Sequence, residues 1–327
     1  MRTPLYRQAL RESWELAWKH KLLWIFGFFA AFLGQMGLVE LFAKIGLAGT
    51  KFAFFPKWLL LPEFFGLRLF PIQSLALPID GWMWFIWLLV VFAGFGLLLL
   101  FVAVVSQGAL VHAAAQWVKK GKAPNVDKAW HAGVGHFWRL LFLNLLKKVF
   151  LLALAVVLGF ATVNVMLGVT VGNVILFVLL FILAVAVGMA VSFLAIYAAG
   201  YVVVEEYQFW RALESAWKLF LSHWLVSIEV GLILLFLNFV LGVVVLASFF
   251  VLFLPTLLLW MIAISIASGT LYFIAMIIGL FFFLLFVVFL GSVFSVFTTA
   301  SWTYLFMKMH REGVASRILG WAGVHRV

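Results

Sequence analysis

Apolar residues recur along this chain in continuous runs of about twenty, not in the alternating or one-faced patterns of a soluble fold. At 1.5 Å per helical residue, about twenty residues cross about 30 Å of hydrocarbon, so each run predicts a membrane-spanning helix. Six are expected: about Leu22 to Val39, Trp82 to Val105, Leu141 to Leu167, Val174 to Val202, Leu225 to Phe250 and Thr270 to Phe306. The last is long enough to tilt strongly or to project beyond a bilayer. Val251 to Gly269 is apolar but holds Pro255. Three readings stay open for it: a re-entrant segment, an outer-interface segment, or a kinked extension of the fifth span.

The polar segments between the runs set the orientation. With six spans and both termini inside, cytoplasmic segments carry five Lys/Arg before the first span, seven in 106–148, two in 205–224 and four after the sixth, of 22 in all. The other four, Lys44, Lys51, Lys57 and Arg68, fall in the first outer loop, 40–81. A seventh span would carry Lys308, Arg311, Arg317 and Arg326 outside, against the positive-inside bias. The expected protein is therefore a multi-pass protein of the cell (inner) membrane with both termini cytoplasmic. No small-residue cleavage pattern closes the first run, so it is expected to be retained as a span.

A short pattern recurs three times, each time just before an odd-numbered span. It reads Trp14-Glu15-Leu16-Ala17-Trp18-Lys19, then Val126-Asp127-Lys128-Ala129-Trp130-His131, then Leu213-Glu214-Ser215-Ala216-Trp217-Lys218. A second Trp follows in each: Trp24, Trp138 and Trp224. The spacing predicts an amphipathic helix on the inner membrane surface, with an apolar stripe of Leu10, Trp14, Ala17 and Trp18 in the first copy and of Leu213, Ala216, Trp217, Phe220 and Trp224 in the third. Acid and base four apart predict the ion pairs Glu15/Lys19, Asp127/His131 and Glu214/Lys218. Thr3-Pro4 and Pro124-Asn125 supply helix starts. Trp18, Trp130 and Trp217 are the expected interfacial anchors, each packing where its hairpin begins. The expected fold is all-α: one membrane domain, 1–327, of three helix-hairpin repeats (1–118, 119–204 and 205–308) with a tail at 309–327.

Composition narrows the function. The chain is 67% hydrophobic and 10% charged, whereas a soluble domain is about 45–50% apolar and about 25% charged. It has no cysteine, which excludes disulfides, thiolate metal sites and cysteine nucleophiles. The net charge of +11 fits a membrane topology, and no nucleic-acid partner is expected.

The stretch Ser106-Gln-Gly-Ala-Leu to Lys119-Lys-Gly-Lys-Ala-Pro-Asn-Val-Asp-Lys-Ala-Trp130, and Val203-Val-Glu-Glu-Tyr-Gln-Phe-Trp-Arg-Ala-Leu-Glu-Ser-Ala-Trp217, resemble a broad group of six-helix prokaryotic membrane proteins. The same pattern occurs in the membrane domain that precedes the catalytic domain of some glycerophosphodiester phosphodiesterases. The resemblance implies a six-helix membrane fold. After its last apolar run this chain has only about twenty residues where that catalytic domain would stand, so the resemblance implies no catalytic residue here.

Glu229 is the one acid inside an expected span, and Lys147 and Lys148 sit at comparable depth in the third. Ionisable groups in hydrocarbon are costly and mark functional sites, so these three form a candidate polar site for an ion, a proton or a lipid headgroup. The plainer reading is a structural pair near the inner interface, with the lysines reaching to water. Asn144, Asn164 and Asn238 line a pathway or bond across packed helices. The histidines form no metal constellation, and Gly133 and Gly135 are expected to mark a bend between surface helix and span. The outer loop 40–81 carries Pro56, Pro62, Pro71 and Pro78 among aromatics, which suits interfacial helices or a docking surface for a membrane-protein partner. The expected protein is non-enzymatic, has no cofactor, and organises lipid or a membrane partner or assists membrane homeostasis. The alternative is a transporter or lipid-translocating permease with a polar site between the third and fifth spans.

Overall fold

The computed structural model describes residues 5–33, 79–121, 123–266 and 268–312, and every regular element among them is an α-helix. In chain order these are α1 (Leu5–Lys19), α2 (Leu23–Ala31), α3 (Ile79–Lys120), α4 (Val126–Gly135), α5 (Phe137–Leu167), α6 (Val171–Val204), α7 (Phe209–Ser265) and α8 (Gly269–Glu312). Five of them, α3 and α5 to α8, are long and apolar enough to cross a membrane. The chain is a multi-pass membrane protein. α2 covers the start of the first expected span. The rest of that span, the outer loop as far as residue 78, Thr3-Pro4 and the tail from residue 313 lie outside the described residues.

The segment after the fifth span is a continuation of it. α7 runs unbroken through Pro255 to Ser265, which removes the re-entrant reading. A mid-helix proline loses a hydrogen bond and costs about 3 kcal/mol, so something must hold the arm straight. Packing on α8 does so. Phe249 and Phe253 meet Phe283 with ring centroids 5.3 and 6.1 Å apart, and Trp260 stacks on Tyr272 at 4.7 Å. Gly279 lets α8 come so close that a Cβ there would strike the Thr256 side chain. The turn between the arms is closed by Ser268 N–H donating to the Ala263 carbonyl at 2.9 Å, and the Ser268 hydroxyl accepts from Leu271 N–H at 3.4 Å.

The helices form two compact units, and each gathers pieces of more than one expected repeat. The first comprises Met1–Leu33, Ala103–Phe137 and Tyr197–Val327. Its core is the second half of α8, where Val293, Val296, Phe297, Trp302, Leu305 and Phe306 are buried. α1 and α2 pack on this stretch, with Trp14 edge-on to Phe297 at 5.8 Å. A Cβ on Gly27 of α2 would collide with the Ser292 backbone carbonyl. α4 lies against the second half of α3, where Gly133 meets the Val105 carbonyl with the same closeness. Gly133 is therefore a contact residue and not the expected bend. The bend falls at His136, which has non-helical dihedrals. Tyr197, fully buried, bonds the Ser227 hydroxyl at 2.6 Å and sets its ring edge-on to Trp302.

The second unit comprises Gly34–Val102 and Trp138–Ile196. The first half of α3 belongs to it and is exposed on every described face from Met83 to Leu98. α5 and α6 are joined by a three-residue turn, 168–170, tied by the Asn173 side chain. Its amide donates to the carbonyls of Asn164 and Gly168 at 3.2 and 2.8 Å, satisfying acceptors that a helix end leaves open. Asn164 thus contributes its main chain to this turn.

Candidate functional site

Three copies of the Trp-bearing motif carry the expected anchors, and all three are helical. The expected acid–base pairs form in each: Glu15–Lys19 at 3.0 Å, Asp127–His131 at 3.4 Å and Glu214–Lys218 at 2.6 Å. The hydrogen bond and charge of Lys19, reinforced by Arg11, hold the Glu15 carboxyl below its ordinary range. The second helix starts as expected, with the Asn125 side chain accepting from Lys128 N–H at 3.1 Å.

The buried stripe differs from expectation by about one residue. In α1 the buried face is Ala9, Ser13, Leu16 and Ala17; of the expected stripe Ala17 is buried, Leu10 is half-buried, and Trp14 and Trp18 are exposed. In α7 it is Ala212, Ala216 and Leu219, while Trp217 and Trp224 are exposed. The physical reason is size. Alanine and serine let the backbones come together, while the indoles are too large for that seam and lie along its rim. The alanine of each motif, Ala17, Ala129 and Ala216, has 0% exposure. The neighbouring Trp18 and Trp217 are 41% and 48% exposed.

The anchors differ in what they touch. Trp18 meets Trp24 at 5.7 Å, at the start of α2, and the Trp24 indole donates to the Ala17 carbonyl at 2.7 Å. Trp217 leans on Phe220 within its own helix. Trp130, half-buried, stacks on Phe26 of α2 at 6.0 Å. A feature absent from the motif is the residue at which each motif helix segment ends. The helix breaks at His20, at His136 (φ −105°, ψ 9°) and at His223 (φ −130°, ψ 29°). The third segment is continuous with its span across that kink. The signal was present in the sequence: a histidine stands between the first and second Trp of each copy.

The three candidate intramembrane charges are treated differently by the fold. Glu229 belongs to the first unit, half-buried on α7 beside Val226 and Val230. Lys147 and Lys148 belong to the second unit. Lys147 is 6% exposed on the face of α5 that carries Leu140, Leu143, Asn144 and Leu151, while Lys148 is exposed. Asn144 donates to the Leu140 carbonyl of its own helix at 2.9 Å. Asn238 is half-buried on α7. Among the described residues no cluster of three His, Asp or Glu is placed to hold a metal. No family model, no curated protein and no solved structure matches the chain.

Proposed function

We propose that this is a non-enzymatic protein of the cell membrane that works on the bilayer itself, organising lipid or a membrane partner. Its chain is read as six spans in three repeats, each led by a Trp-bearing inner-surface helix, with both termini cytoplasmic. The observation that carries the function is the exposure of the spans: in no candidate span is more than 28% of the most apolar stretch buried. Most of the apolar surface is thus free to face acyl chains or other membrane helices. The equivalent burial of Ala17, Ala129 and Ala216 and the three breaks at histidine support the repeat reading. The 18 basic residues that the six-span topology leaves inside support the orientation. The likeness to the membrane domain of glycerophosphodiester phosphodiesterases agrees with a helical membrane module.

A permease is the second reading, favoured by one observation: Lys147 is buried in an apolar helix, where a charge marks a functional site. Reconstitution into vesicles separates the two. Bilayer organisation predicts acyl-chain order that changes in proportion to protein density, with no saturable flux of ions, protons or headgroup-labelled lipid. A saturable flux abolished by Glu229→Gln or Lys147→Met, in variants that still fold, would replace the first reading by the second.

A further inference from the structure

The α7–α8 hairpin meets the hydrocarbon differently on its two sides. On α8, Trp18 and Trp24 both lie against Phe289, and Trp14 lies against Phe297. Indoles favour headgroups, so this contact marks where the interface crosses that side. From Gly269 to Phe289 is about 30 Å of helix, one hydrocarbon thickness. On α7 the exposed apolar stripe does not stop at that level. Leu232, Phe236, Phe239, Val243, Leu246 and Phe250, each 49–70% exposed, repeat at alternating steps of four and three. The same face continues through Leu254, Leu257, Met261 and Ile264 towards the turn. From Leu232 to Ile264 is about 48 Å, about one and a half times the hydrocarbon thickness.

We propose that the hairpin crosses the bilayer at a steep tilt, with the α7 stripe from Leu232 to Ile264 lying against acyl chains along its whole length. An inclined pair of helices meets the interface at different heights on its two faces, so the α7 stripe enters the hydrocarbon further from the turn than the Trp-marked face of α8 does. A core about 30 Å thick crossed over a path of about 48 Å corresponds to a tilt of about 50°, beyond the usual 0–40°. Two further features fit. No charged residue lies between Glu229 and Lys308, so no charge within the stripe resists immersion. Trp260 and Tyr272 are stacked at the turn end, where the far interface would fall. The proposal deepens the lipid-organising reading by naming its lipid-contacting element, but its test reads depth and not lipid order, so either can fail without the other.

The chain has no cysteine, so Phe239→Cys and, on the same face, Phe236→Cys and Met261→Cys can each carry one bimane probe in reconstituted vesicles. The expected result at both Phe239 and Phe236 is at least twofold quenching by chain-nitroxide lipid, with no reaction towards an impermeant maleimide in vesicles opened to both sides. Met261→Cys is expected to be quenched most by a nitroxide placed near the headgroup. Reaction of Phe239→Cys with the maleimide would mean that the stripe stands in water beyond an upright hairpin. Protection from both reagents would mean that a second copy covers it. Either result overturns the proposal.

Discussion

Replacing Gly27 by alanine tests the packing that seats α2 on α8. A methyl group there has nowhere to go: it would run into the Ser292 backbone carbonyl and come within 2.8 Å of the Val296 side chain. Val296 can rotate, but a helical carbonyl cannot. Overpacking of this kind costs about 1–3 kcal/mol, and a backbone obstacle places it in the upper part of that range. Against it stands the gain of about 0.5–1 kcal/mol from replacing a helical glycine by alanine. The net expectation is a loss of about 1–2 kcal/mol. Gly242 on α7 has no atom within 4 Å of such a Cβ, so Gly242→Ala should show the propensity gain alone. Thermal unfolding of both variants in one detergent, followed by tryptophan fluorescence or by loss of the monodisperse chromatographic peak, gives the comparison. Gly27→Ala should unfold several degrees below the parent and Gly242→Ala at or slightly above it. If Gly27→Ala matched Gly242→Ala, α2 would not lie on α8 in this way.

Ala216→Leu should destabilise by about 1–3 kcal/mol because the alanine seam is closed, whereas Trp217→Leu on its exposed rim should cost less in detergent, and thermal melts rank the pair. Tyr197→Phe should cost about 0.5–1.5 kcal/mol, since it removes a buried hydrogen bond while Ser227 keeps its bond to the His223 carbonyl at 3.0 Å. Burial, and then the charge of Lys19, push the His20 pKa below its ordinary value. As pH falls through the ordinary histidine range, the unfolded chain takes up that proton first, so stability should fall until the folded value is passed. His20→Phe, which keeps a ring against Trp117, should flatten that part of the melting-temperature profile between pH 8 and pH 5, and an unchanged slope would refute the assignment.

The long helices were legible because hydrocarbon-length apolar runs leave little alternative to a spanning helix, and α5 to α8 lie where those runs are. The continuation through Pro255 was one of three readings the sequence left open. A proline breaks a helix unless tertiary contacts hold it, and the contacts with Tyr272, Gly279 and Phe283 are remote in sequence. The motif was found by its tryptophans, yet its packing residue is the alanine just before Trp18, Trp130 and Trp217. Hydropathy weights the large ring, whereas close helix approach selects the small one. Adjacent lysines are alike in any sequence profile, and only the rotation of α5 buries Lys147 and leaves Lys148 exposed. The aromatic contacts of Trp130 with Phe26 join elements from different repeats, which a one-dimensional pattern does not reveal.

The most direct test of a protein that works on the bilayer is native mass spectrometry of the intact chain released from nanodiscs of mixed anionic and neutral phospholipid. Exposed spans flanked by Trp and basic residues predict a population retaining several phospholipids, enriched in the anionic species. Trp14→Ala combined with Trp18→Ala should reduce that retention without unfolding the protein. Release of the chain free of lipid, at unchanged stability and with no preference among headgroups, would contradict the account.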